Sequence, residues 1–536
     1  MSHRPRSSRT TACAVSAAIV AAAVFGTAPS AHAAPPGAGA LARVSGTAAG
    51  SPGFRFVDIP GADGVRLAGN VFTPTGGDAT RHPLIVMPTS WASPQAEYFA
   101  EAQKFADSGY VVVSYNPRGF LESDGEIEVA GPKDIADASK VIDWALANTP
   151  ADPQRVGMGG VSYGAGISLL AAGEDGRITT VAALSGWADL IDSIYSGRTQ
   201  HRQAAAMLTG LGYLTGRPSE ETSRHMREFL SGSLEHEAEM IAWGKQRSAA
   251  ARIDRINANG AAIMLANAWG DSIFPPNQYA DFYEKLTGPK RLELRPGDHA
   301  TAEGSGLLGL PNDVWDDTRR WFDHHLKGAA NGIDREQPVQ LKSRTGGGYE
   351  GYPSWREVPG ATGRIPLSAT RSIRTDTGSA ADGGTVMLSG ALDQFLAVPP
   401  VTSVPLLPRG VAAVWQSERY AEPQRLRGTV KLHTTVTARD ADGTAVAYLY
   451  DVGPLGAGKL VTHAPVSFHD RAPGRPFGVD LELNSTAYDV PAGHRLALVV
   501  DGKDPLYTDH NPRGGKLVLS SPANDPSWLE VPLRRP

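Results

Sequence analysis

Gly160-Val161-Ser162-Tyr163-Gly164 sets a serine hydroxyl between two glycines, with an apolar run, Val156–Val161, before it and a helical pattern, AGISLLAAG, after it. A strand that turns abruptly into a helix strains its pivot residue. Side chains at the flanking positions would collide, so glycine is needed on both sides. Such a bend exposes the serine oxygen and brings the positive end of the following helix toward it. This is a setting for a nucleophile. Serine is a poor nucleophile near neutrality, however, and needs an adjacent base that is itself oriented by a carboxylate.

On this kind of bend the acid and the histidine come later in the chain, in that order, each just past a strand. Two segments fit. The apolar run Ala261–Leu265 leads into Asn267-Ala268-Trp269-Gly270-Asp271, and Arg291–Leu294 leads into Arg295-Pro296-Gly297-Asp298-His299. Asp298 is an alternative acid, but a residue directly before the histidine in a tight turn is poorly placed to reach its ring, which favours Asp271. A tetrahedral oxyanion needs two donors. The backbone N–H of Tyr163 is the first, and the second comes from Pro88-Thr89-Ser90-Trp91, where Thr89, Ser90 and Trp91 all stay open. Of the other histidines, His324 and His325 read as structural on a helix, while His201, His225 and His236 fall in the cap, where contact with substrate is one reading and a surface position the favoured one.

These residues require an alternating frame of strands and helices. Short apolar runs (Leu84–Met87, Tyr110–Ser114, Val156–Val161, Val181–Leu184, Ala261–Leu265, Arg291–Leu294) alternate with amphipathic stretches. Ile135, Ala138, Val141, Ile142 and Leu146 share one helical face, and Val314, Thr318, Phe322, His325 and Leu326 another. The pattern predicts a mostly parallel, doubly wound α/β sheet over 54–328, covered by helices on both faces. Residues 187–250 interrupt it with several short helical stretches, expected to form a cap over the sheet's carboxyl edge. A linker is expected at 329–340. Residues 341–536, rich in Val, Thr, Gly and Pro, read as an all-β sandwich or jelly roll. A chain of 536 residues is too long for one core, so two or more domains are expected.

Arg4, Arg6 and Arg9, an apolar stretch over 11–26 and Ala31-His32-Ala33 have the order of a secretory signal cut after Ala33, followed by a flexible leader over 34–53. The apolar stretch is short of the about 20 residues that cross a bilayer, so no stable membrane anchor is expected. The only cysteine, Cys13, lies within the signal, which leaves neither a thiol nucleophile nor a disulfide in the processed chain. The net charge of −5, with no long basic run, gives nucleic-acid binding no support. No metal- or nucleotide-binding motif is present, so no cofactor is implied. Asp440-Ala441-Asp442-Gly443 reads as a hairpin turn rather than a calcium loop.

The order of motifs is similar to that of the Xaa-Pro dipeptidyl-peptidase and cocaine-esterase-like (acyl esterase) group of α/β-hydrolases. Asn116-Pro117-Arg118-Gly119-Phe120-Leu121-Glu122-Ser123-Asp124-Gly125 resembles that group's arginine–glycine loop. It is followed by Gly160–Gly164, Trp269-Gly270-Asp271, Pro296–His299, the helix Trp321–Gly328, Tyr448–Val452 and Asp504–Tyr507. The resemblance runs from about residue 54 to the C-terminus. It implies Ser162 as nucleophile, Asp271 as acid, His299 as base, the Tyr163 amide in the oxyanion hole and a jelly roll beside the site. The chain departs from the group at Leu121, where a second glycine is common, and at Thr89, where esterase members often carry an oxyanion-binding tyrosine. The expected activity is hydrolysis of a small ester or amide. The alternatives are a dipeptidyl-peptidase, which would need a carboxylate such as Asp189, Glu122 or Asp124 for the substrate ammonium, and a non-catalytic binding protein on the same scaffold. The sequence leaves oligomeric state open.

Overall fold

The computed structural model describes residues 53–74, 80–360 and 362–534, so the expected signal and nearly all of the leader lie outside the described residues. A ten-stranded sheet organises the first part. Its strands are β1 (Gly53–Pro60), β2 (Arg66–Thr73), β3 (His82–Pro88), β4 (Val111–Tyr115), β5 (Ala151–Val161), β6 (Ile178–Leu184), β7 (Ala262–Ala268), β8 (Lys290–Arg295), β9 (Val339–Lys342) and β10 (Tyr349–Tyr352). They lie in the order 1-2-4-3-5-6-7-8-9-10. From β4 across to β9 all neighbours are parallel, while β1, β2 and β10 are antiparallel to theirs.

Helices α1 (Phe99–Asp107), α2 (Pro132–Asn148) and α3 (Tyr163–Glu174) fill the early crossovers. Four cap helices follow: α4 (Leu190–Ile194), α5 (Arg202–Thr215), α6 (Glu220–Ser231) and α7 (Glu237–Gln246). The later crossovers use α8 (Ile253–Asn259), α9 (Asn277–Lys285) and α10 (Asp313–Lys327). The period of two on β3 makes the layering explicit. Leu84 and Val86 join a core with Ile135, Val141 and Ile142 of α2, whereas Ile85 and Met87 point to the other face, toward Phe105 of α1 and Phe322 of α10. On β5 the approach of α10 leaves no room for a side chain: a Cβ on Gly157 would lie 3.0 Å from atoms of Phe322 and Leu326.

Residues 339–342 and 349–352 correct the expected boundary. The sequence pattern places them in the linker and the β domain, yet they extend the hydrolase sheet as β9 and β10, with Gly346 and Gly347 at positive φ in the turn between them. The following residues form a six-stranded, a five-stranded and a three-stranded sheet. The first two face each other across one core. Leu432, Val436, Leu517 and Leu519 come from the six-stranded sheet, and Leu449, Leu498 and Val500 from the five-stranded one. The Asp440–Gly443 turn connects strands of these two different sheets, so it crosses the sandwich rather than closing a hairpin. A helix, α11 (Ser389–Leu396), precedes most of the sandwich strands and rests on the catalytic domain. No described helix is long and apolar enough to cross a membrane.

Candidate active site

Ser162, Asp271 and His299 stand just beyond the carboxyl ends of β5, β7 and β8, parallel strands of one sheet separated only by β6. The distances between them are those of a relay. Ser162 Oγ lies 2.9 Å from His299 Nε2, and His299 Nδ1 lies 3.0 Å from Asp271 Oδ2. All three are buried. The other oxygen of Asp271 accepts the N–H groups of Ile273 at 3.0 Å and Phe274 at 2.8 Å, which fixes the carboxylate plane. Burial opposes a charge on His299, but the Asp271 carboxylate outweighs it by charge and hydrogen bond, so the ring titrates above its ordinary range.

The bend at Ser162 has φ 57° and ψ −113°, backbone space that favours glycine. Its neighbours hold it there. Tyr98 Oη donates to Pro88 O at 3.2 Å and accepts the Val161 N–H at 2.9 Å, tying the end of β5 to β3. A Cβ on Gly164 would stand 2.1 Å from Pro88 O, and one on Gly160 would stand 3.0 Å from the same oxygen. Gly164→Ala should therefore displace the elbow and destabilise the fold by about 3 kcal/mol or more. Urea denaturation measures this, and a loss within error of zero would refute the steric account.

Asp298 does different work from Asp271. Its Oδ1 accepts the N–H of Ser272 at 2.9 Å, the hydroxyl of Ser272 at 2.7 Å and the N–H of His299 at 2.8 Å. Its Oδ2 accepts the N–H of Gly390, in α11, at 3.1 Å. The pair His299–Asp271 leaves Asp298 as a brace of the histidine loop. Burial and the nearby Asp271 charge push its carboxyl up to about 6. Thr301 of the same loop donates to Gln394 Oε1 at 2.5 Å, a second support from α11. The sequence offered no signal for either contact, because α11 lies some ninety residues further along the chain.

Hydrogen bonds already made in the Pro88–Trp91 loop limit which groups can serve the oxyanion. The Thr89 N–H donates to Tyr115 O at 3.0 Å, and the Thr89 hydroxyl accepts from Asn116 at 2.9 Å. The Ser90 N–H donates to Glu97 at 2.7 Å, and its hydroxyl donates to Val161 O at 2.9 Å. Ser90 is thus spent on structure, which corrects its inclusion as a donor; the Thr89 N–H is committed too, and its fully buried hydroxyl is not part of the cleft that opens on Ser162. The Trp91 indole is also committed, to Leu208 O of the cap at 2.9 Å. The main-chain N–H of Trp91 donates to no described residue. Tyr163 opens α3, so its N–H stands outside the helical ladder.

A cleft open to solvent leads from Ser162 and Tyr163 into the cap. Trp91, Leu190, Ile194, Met226, Phe229 and Met240 line much of it. Aromatic rings run from the Trp91 loop to the catalytic histidine. Trp91–Tyr163 centroids are 5.2 Å apart, Tyr163–Trp187 6.0 Å, Trp187–Phe274 5.1 Å and Phe274–His299 5.2 Å. His201 and His225 are buried rather than superficial, and His225 is part of the cleft wall. The helical pattern of the cap was visible in the sequence, but which face of each helix would meet the site was not. His324 and His325 lie on α10, away from the cleft.

The arginine–glycine loop is a brace as well. Arg118 grips Asp137 of α2 with two bonds of 2.7 and 2.8 Å, and the Ser123 hydroxyl donates to Asn116 O at 2.7 Å. Leu121 adopts φ 46°, the left-handed conformation that glycine would take without strain.

A parallel sheet with a strained serine elbow and a buried Ser–His–Asp relay at its carboxyl edge defines the α/β-hydrolase class. Residues 63–301 match the model of X-Pro dipeptidyl-peptidase (S15 family), and residues 331–527 match that of the X-Pro dipeptidyl-peptidase C-terminal non-catalytic domain. The chain belongs to this family. It is 24% identical over 519 residues to the Xaa-Pro dipeptidyl-peptidase of Lacticaseibacillus casei, covering 79% of this chain but only 64% of the relative. It is 22% identical over 542 residues to the cocaine esterase of a Rhodococcus species, covering 86% of this chain and 93% of the relative. A solved α-amino acid ester hydrolase shares the fold with a TM-score of 0.68 at 17% identity, over 92% of this chain and 98% of that one.

Proposed function

We propose that the chain hydrolyses uncharged acyl esters, and more slowly amides, through an acyl-enzyme on Ser162. His299 Nε2 takes the Ser162 proton as Oγ bonds to the substrate carbonyl carbon. The imidazolium that forms is held by Asp271. The N–H groups of Tyr163 and Trp91 receive the oxyanion. The leaving alcohol or amine departs with the proton from His299, and water, deprotonated in turn by His299, releases the acid.

The observation that carries this reading over a dipeptidyl-peptidase is the chemistry of the cleft. A substrate with a free ammonium needs a carboxylate to receive it, and among the described residues the only one in the cleft wall is Glu237. That group is already occupied by Arg198, at 2.6 and 3.0 Å, and by the Tyr195 hydroxyl at 2.6 Å. Asp189, Glu122 and Asp124 do not line the cleft. Asp189 caps α4 through the N–H groups of Ile191 and Asp192, and Asp124 pairs with Arg66. The cocaine esterase name of one relative points to an ester substrate.

The test is a direct comparison of p-nitrophenyl butyrate with Ala-Pro-p-nitroanilide. An unpaired ammonium driven into this cleft should cost the anilide about a hundredfold or more in kcat/KM. Rapid turnover of the anilide with negligible cleavage of the ester would overturn the reading.

A further inference from the structure

The cleft is apolar but not uniformly so. His225, on α6, is 4% exposed, lines the cleft, and has no hydrogen-bond partner at either Nδ1 or Nε2. Trp243, on α7, also lines the cleft, and its indole N–H is buried without a partner. The two rings are neighbours, 5.0 Å between centroids at a 44° tilt. Nothing adjacent satisfies them. The nearest carboxylate oxygen to His225 is Glu239 Oε1, 4.0 Å from Nε2, and Arg224 holds that oxygen at 2.7 Å. The Arg247 guanidinium sits over the face of Trp243 at 3.8 Å and leaves its edge free. Buried polar groups in folded proteins are almost always paired, and those that are not call for an explanation. Here both belong to the wall of the cleft that opens on the nucleophile.

We propose that His225 and Trp243 form a polar recognition point for the acyl group, and that the substrate is a hydrocarbon-rich acyl ester carrying one uncharged hydrogen-bond acceptor, most simply a carbonyl oxygen, remote from the scissile bond. This rests on the cleft being the acyl site of the hydrolase. Burial, reinforced by the Arg224 charge, keeps the imidazole neutral, so it offers one N–H and one lone pair. The indole offers an N–H only. An acceptor is therefore the one group that both rings can serve. An anion is not favoured, because a neutral imidazole supplies no countercharge.

The experiment uses p-nitrophenyl hexanoate and a series of its oxo analogues with the carbonyl moved stepwise along the chain. The measured quantity is the ratio of kcat/KM for each oxo ester to that for the plain ester. A ratio taken within one protein cancels any loss of folded enzyme. Wild type should show a maximum at one carbonyl position. His225→Phe and Trp243→Phe should each lower that maximum about tenfold, and His225→Gln, which keeps a donor and an acceptor, should restore part of it. A flat series in wild type, or a maximum that survives both phenylalanine variants, overturns the proposal. If neither ester is turned over, the ester reading fails on its own. The recognition point is then tested with alkylboronic acids, with and without the oxo group, titrated by tryptophan fluorescence. Tighter binding of the oxo compound supports it, and equal or absent binding overturns it.

Discussion

Ser162→Ala should lower turnover of any accepted ester by about 10⁴- to 10⁶-fold while the protein stays folded. The hydroxyl is the only group at the elbow aimed at His299 Nε2, and its removal deletes the covalent route entirely. The backbone has little reason to change, since alanine bears the same left-handed strain as serine at φ 57°. Ser162→Gly sharpens the test. It relieves strain of about 1–3 kcal/mol against an entropic cost of about 0.5–1 kcal/mol. The inactive glycine variant should therefore melt no lower than wild type. A fluorophosphonate probe, which labels only an activated serine, should mark wild type and neither variant. Undiminished turnover by Ser162→Ala would remove the catalytic assignment.

Asp271→Asn against Asp298→Asn separates two neighbouring carboxylates by role. An asparagine at 271 keeps its size but presents the wrong group to His299 Nδ1, and a loss of about 10⁴-fold in kcat is expected. The pH profile should move too. The base must be neutral, so activity falls as pH drops through the pKa of His299. That pKa is raised because Asp271 overcomes burial. With the charge gone burial prevails, so the remaining activity should persist to lower pH than in wild type. Because Asp298 contributes less than Asp271 to raising His299 and makes no hydrogen bond to its ring, Asp298→Asn should move the profile downward less. Its amide would meet the Gly390 N–H donor to donor, a stability cost of about 1–3 kcal/mol, with a rate loss about a hundredfold smaller than that of Asp271→Asn. If the two variants changed places in either measurement, Asp298 would be the acid.

Much of this was readable from the chain because the signals were local. Glycines flanking a serine between strand and helix encode the elbow, and the structure shows their cause in the Pro88 carbonyl that a Cβ would strike. The helical face of Ile135, Ala138, Val141 and Ile142 is the buried face of α2. The placement of Asp271 and His299 also followed from strand ends alone. What escaped is what depends on distant partners. β1 is exposed along most of its length, so it lacks the alternation that marks a half-buried strand. β10 is similarly open, so the sequence pattern ends the sheet too soon. The oxyanion loop could not be resolved because the choice rests on Tyr115, Glu97 and Val161, each of which consumes a donor or acceptor. The burial of His225 needed the packing of α6 against α7, which no periodicity on α6 specifies.

The hydrogen bonds that join α11 to Asp298 and Thr301 carry an implication for how such a chain can evolve or be trimmed. The loop bearing the base has part of its scaffolding in the second domain, and the cap is fastened there too, through Gln200 and Gln203 to Thr508 and Leu506. The β sandwich supplies no atom to bond rearrangement, yet it sets how sharply the imidazole is held. Wear in that distant sandwich, from a drifting sequence or a nicked loop, would surface as a slack catalyst long before it surfaced as an unfolded one.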